Sequence, residues 1–152
     1  MKATSGRIGR AFVIRLEDGD RMPECLERFA EEQGVSVGHA ILIGGIGSGE
    51  MVVGPRRSDQ MPPDPMTLPI DGAHEVVGVG VLAPDENGKP VLHMHAALGR
   101  SGATLTGCVR KGVDTWLVGE AILYEILDAS AARIEDKTTG FTLLEPGQSP
   151  AS

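Results

Sequence analysis

Hydrophobic positions along the chain recur mostly at intervals of two. Alternation and branched residues from Ala11 to Leu16 predict a strand over about 8–17. Asp18-Gly19-Asp20 then turns the chain, and Asp20 is placed to cap a helix whose first turn holds Pro23 and Glu24. Met22, Leu26, Phe29 and Ala30 return at spacings of three and four, the period of one helical face, and Gly34 follows as a C-terminal cap. Beyond it the pattern has period two or is continuously apolar, over 37–46, 50–53, 75–83, 91–98, 103–109 and 115–126, and more weakly over 132–135 and 141–144. Segment 54–72 carries Pro55, Pro62, Pro63, Pro65 and Pro69, and a residue without an N–H cannot serve a central strand, so a long surface loop is expected there. Asp85-Glu86-Asn87-Gly88 and Gly99-Arg100-Ser101-Gly102 read as hairpin turns. One helix followed by hairpin-linked strands predicts an α+β domain: a mixed, mostly antiparallel β-sheet with one main amphipathic helix. The domain is expected over 6–145, with 146–152 a disordered tail.

Composition narrows the function. At 152 residues the chain is one domain, large enough to fold without disulfides. Fourteen Lys and Arg against 21 Asp and Glu give a net charge of −7, which argues against gripping nucleic acid through a broad basic surface. No apolar run reaches the roughly 18–20 residues that span a bilayer, and the N-terminus lacks the apolar core of a secretory signal. Cys25 and Cys108, far apart in such a chain, point to a reducing, cytoplasmic setting without a disulfide.

The chemistry centres on His93-Met94-His95. On a strand the two histidines share one face, with Cα atoms about 6.5–7 Å apart, close enough for both imidazoles to lean onto one cation. If Arg100 and Ser101 form the following turn, His93 lies opposite Cys108 and His95 opposite Thr106, which gathers His93, His95 and Cys108 on one face. Two imidazoles and a thiolate suit zinc, and three protein ligands leave a fourth position open. A one-residue slip would turn Cys108 away. The plainer alternatives are two polar positions on a solvated face and a buried, packing Cys108. Cys25 reads as packing on the helix. Glu120 interrupts an apolar run, where a carboxylate could orient a ligand histidine, act as a general base or supply a fourth ligand, or else point to solvent at a strand edge. His39 reads as a core or interface residue, and His74 carries no assignment. Gly44-Gly45-Ile46-Gly47-Ser48-Gly49 fails both phosphate-loop fingerprints and reads as a tight strand crossing.

In order, GRAFVIRLEDGD with a helix behind it, the Gly-Ile-Gly-Ser segment, HMHAALGRSG followed by TGC, and VGEAILYEI resemble the plants-and-prokaryotes-conserved (PPC) domain over about 6–144. The resemblance implies a PPC-like fold assembled as a homotrimer, similar in architecture to acetolactate decarboxylase, whose zinc is held by histidines. Several prokaryotic members place His-x-His and a later Gly-Gly-His around a metal. Carried over, His93 and His95 match the pair, while Cys108 of Thr106-Gly107-Cys108 replaces the later histidine, one residue closer. The resemblance thus implies zinc, or another divalent transition metal, with an open position for water or a small oxygen-bearing ligand. A Lewis-acid enzyme would have Glu120 as its proton-handling residue. Stand-alone members also carry a DNA-binding label, but the plant proteins bind through an Arg-Gly-Arg-Pro core that Gly6-Arg7-Ile8-Gly9-Arg10 only echoes. The alternative is a non-catalytic interaction or DNA-associated module with a structural metal or none.

Overall fold

The structure, a computed structural model, describes residues 1–110 and 112–147. Its elements are β1 (Arg7–Glu17), β2 (Arg21–Met22), α1 (Glu24–Gln33), β3 (Gly38–Pro55), β4 (Pro65–Pro84), β5 (Pro90–Arg100), β6 (Ala103–Val109), β7 (Val113–Leu127), β8 (Ala131–Glu135) and β9 (Thr142–Pro146). The main sheet runs β1-β7-β3-β4-β5-β6, β2 also pairs with β7, and β8-β9 form a separate ribbon. Every strand pairing among the described residues is antiparallel, and the isolated bridge Asp85–Arg133 is parallel. This is the α+β architecture expected from the sequence, a mostly antiparallel sheet with one helix.

The long strand β3 closes the sheet on itself. Its first half pairs with β7 from Gly38 to Ser48, and beyond the bend Met51 and Val52 pair with β6. The bend falls in the glycine-rich segment. Gly44 and Gly49 have φ of 127° and 125°, and a Cβ on either would run into the β7 backbone at Val118 or Val113. The segment is therefore the tight crossing that its failed phosphate-loop spacing implied.

Three expectations change. The proline-rich segment is only partly loop: β3 continues to Pro55 and β4 begins at Pro65, which leaves 56–64 outside the strands. Proline is tolerated because β5 joins β4 only from Glu75 onward, so Pro65 and Pro69 stand on a stretch with one free edge. Asp20 does not cap the helix. Its carboxylate accepts the Glu17 N–H at 2.9 Å, β2 intervenes, and Pro23 occupies the N-cap position, while Gly34 closes the helix in the left-handed conformation as expected. At the C-terminus β9 reaches Pro146 and the Gly147 N–H donates to the Ser130 carbonyl, so order extends into the expected tail, of which 148–152 lie outside the described residues.

Leu26 and Ala30 of α1 pack with the inner face of the sheet, where Leu42, Met94, Leu98 and Leu123 are buried. Cys25 joins this packing, its Sγ 3.4 Å from Met22 Sδ, and burial pushes its thiol up to about 11. The other face leaves Val13, Ile43, Val77, Val79 and Val118 exposed.

A bulge in β1 between Ile8 and Ala11 brings Arg10 over Glu125 of β7. The guanidinium donates to both carboxylate oxygens, at 2.8 and 2.7 Å, and the Arg10 N–H adds a third bond at 3.1 Å. Held this way, the Glu125 carboxyl drops from the ordinary 4.5 to about 2. A lowered folded-state value means the contribution is complete above the unfolded value of 4.5 and is lost as the pH falls towards 2. In urea unfolding at pH 7, 4 and 2, the stability gap between the native protein and Glu125→Gln should be widest at pH 7 and nearly closed at pH 2. A gap independent of pH would refute the assignment.

Candidate metal centre

Strand alternation places His93 and His95 on the outer face of β5, while Met94 between them is fully buried in the core. The hairpin to β6 turns at Ser101-Gly102, with φ of 51° and 82°, a turn that needs positive φ at both central positions and so favours the glycine. His95 therefore faces Cys108, and Ala97 faces Thr106. The sequence-based register set His93 opposite Cys108 with Arg100-Ser101 in the turn. Moving the turn by one residue shifts every partner by two, and a shift of two keeps each side chain on its face. Cys108 is also paired on its other side with Val52 of β3, at the seam that closes the sheet.

The three side chains converge. His93 Nε2 and His95 Nε2 are 3.2 Å apart, with ring planes at 78°, and the ligating atoms of His93, His95 and Cys108 all lie within 4.8 Å of one another. Two nitrogens each ~2.0–2.1 Å from a tetrahedral ion would be ~3.3–3.4 Å apart, so the imidazole pair already has a spacing suited to shared coordination. The rings are exposed and Cys108 is 5% exposed. Burial, with Arg133, His95 and Arg110 adding to it, lowers the His93 affinity for a proton, which keeps a nitrogen lone pair free at neutral pH. Burial raises the Cys108 thiol, against the pull of Arg110 and Arg133; a bound cation would favour the thiolate. The cluster opens into a cleft of about 800 Å³.

The model of the Plants and Prokaryotes Conserved (PCC) domain matches residues 3–127. The chain belongs to this family. A metal-containing protein from Archaeoglobus fulgidus has the same fold, at TM-score 0.83 and 22% identity over 95% of this chain and 99% of that one. A plant- and prokaryote-conserved (PPC) protein from Pyrococcus horikoshii matches at 0.82 and 20%, over 95% and 97% of the two chains. A protein from Bacteroides thetaiotaomicron whose name supposes DNA binding matches at 0.74 and 20%, over 93% and 96%. No curated protein sequence matches the chain.

Within this PCC domain the other candidates stand apart from the cluster. Glu120 is exposed on β7, opposite Arg15 of β1 and Ile43 of β3, and does not line the cleft. It shares the outer face with His95 but sits three strands away, about 14 Å at the usual spacing. His39 is half-buried opposite Val81, and His74 Nδ1 is 2.8 Å from the Gly72 carbonyl. The sequence reading missed Arg133 and Arg110, which both line the cleft. No periodic signal marks Arg133: its strand buries the arginine and leaves Ile134 40% exposed, the reverse of the usual order.

Proposed function

We propose that this PCC domain binds one divalent transition-metal ion on His93, His95 and Cys108, and that the ion is zinc. The carrying observation is the convergence of two imidazole nitrogens 3.2 Å apart with a thiol at the mouth of a cleft. The mixed nitrogen and sulfur donors suit a borderline-soft ion, and a magnesium or calcium site would need oxygen ligands. Three protein donors leave room for water or a small oxygen-bearing ligand. When bound, the ion would supply Lewis acidity to a carbonyl or lower the pKa of its water. His93 and His95 would orient it, and the Cys108 thiol would give up its proton.

The same reading assigns the chain to the cytosol, where both thiols stay reduced, and to a homotrimer. The uncovered aliphatic residues Val13, Ile43, Val77, Val79 and Val118 cross neighbouring strands on one sheet face, the kind of patch that marks an association surface. Sedimentation equilibrium should give three times the chain mass.

Elemental analysis of protein purified without a histidine tag, paired with a DNA titration over a range of salt, tests the reading. About one zinc per chain and no DNA binding at moderate salt supports it. Metal-free protein whose DNA affinity falls steeply with salt supports the rival, a DNA-associated interaction module.

A further inference from the structure

Arg133 is 4% exposed, and none of the ion pairs among the described residues involves it. Its guanidinium donates from Nε to the Val91 carbonyl at 3.2 Å and from Nη2 to the Val81 carbonyl at 2.6 Å, which leaves Nη1 without a hydrogen bond in the described structure. Neither nearby carboxylate forms an ion pair with it, and each accepts backbone N–H groups instead. Asp85 Oδ1 accepts the N–H groups of Asn87 and Lys89 in its own turn, and Glu27 Oε1 accepts the Leu92 N–H. A buried cation is costly unless an anion meets it. Arg133 lines the same cleft as the His93, His95 and Cys108 cluster, and Arg110 at the rim adds a second positive charge.

We propose that the cleft binds a small organic carboxylate, whose carboxylate meets the free edge of Arg133 while a neighbouring oxygen reaches the position left open by His93, His95 and Cys108. The second contact rests on the metal reading above; the first does not. A carboxylate fits better than a phosphate. With two of its five N–H donors spent on carbonyls, Arg133 offers one edge, and the rest of the wall is largely apolar, including Val52, Pro62, Pro63, Val91 and Phe141. Such walls suit a short aliphatic body, and a single guanidinium edge matches the two oxygens of a carboxylate.

Titration calorimetry on the zinc-loaded full chain with pyruvate, its neutral methyl ester and inorganic phosphate tests this. Pyruvate should bind at least tenfold more tightly than either of the other two. Arg133→Lys, which keeps the charge but loses the planar fork, and Arg133→Gln should each weaken pyruvate at least tenfold while zinc content stays unchanged. Because Arg133 also ties β8 to β4 and β5, the exposed Arg110→Gln serves as a variant free of folding effects, expected to weaken pyruvate about threefold. Equal binding of pyruvate and its ester, tighter phosphate binding, or full pyruvate affinity in folded Arg133 variants would overturn the proposal while leaving the zinc result standing. Zinc-free native protein that still binds pyruvate through Arg133 would instead remove the metal reading and keep this one.

Discussion

Alanine at His95 is expected to lower zinc content from about one ion per chain to near background and to weaken zinc affinity by roughly a hundredfold or more. Even partners of metal ligands cost about 10–100-fold when removed, and His95 would itself be a ligand. The residue is at the centre of the cluster: its Nε2 is 3.2 Å from that of His93, and it is paired directly with Cys108. Being exposed on the sheet surface, His95 contributes little to the metal-free fold, so the variant should unfold within about 0.5 kcal/mol of the native protein without zinc. The two proteins should diverge when zinc is added. At a hundred times its Kd the ion would stabilise the native protein by about 2.7 kcal/mol, which raises the melting temperature by roughly 5–10 °C. The variant should show no such rise. His93→Ala should behave alike, and Cys108→Ser should fall between, since a hydroxyl is a poor substitute for thiolate. Identical melting shifts in native and His95→Ala protein would end the metal assignment.

How far the site could be read from the sequence follows from parity. Strand periodicity is two, so placing His93, His95 and Cys108 on one face required only the right parity of the turn, and a turn centre misplaced by one residue still gave it. Glu120 was harder. Its strand and face can be read from local pattern, but its distance from the site depends on the sheet order, β7 then β3 then β4 then β5, which arises from long-range pairing. Arg133 was hidden for a related reason: β8 lies outside the main sheet, and only its docking against Val81 and Val91 brings the arginine to the cleft. The prolines misled because their prohibition applies to strands with two neighbours, and which stretch of β4 lacks a neighbour is again set by topology.

Gly107→Ala is expected to cost about 3 kcal/mol of stability or more and at least tenfold in zinc affinity, although residue 107 would touch no metal. Gly107 sits on β6 where that strand meets the bent second half of β3, and an added Cβ would overlap the Val52 carbonyl oxygen. Backbone cannot yield there as a flexible side chain would: Val52 is paired with Thr67 of β4 as well as with Cys108, so relief requires β6 to move away from β3. Cys108, the next residue, would move with it and leave the His93 and His95 pair with a displaced sulfur. The expected fall in melting temperature is roughly 6–12 °C for a chain of this size. Gly99→Ala on β5 is the matched control, because its Cβ would meet nothing within 4 Å, and it should change stability by less than about 0.5 kcal/mol with zinc binding intact. Calorimetric melting with and without zinc separates the two effects. If Gly107→Ala retains native zinc affinity, the β3–β6 seam is not what holds the sulfur in place.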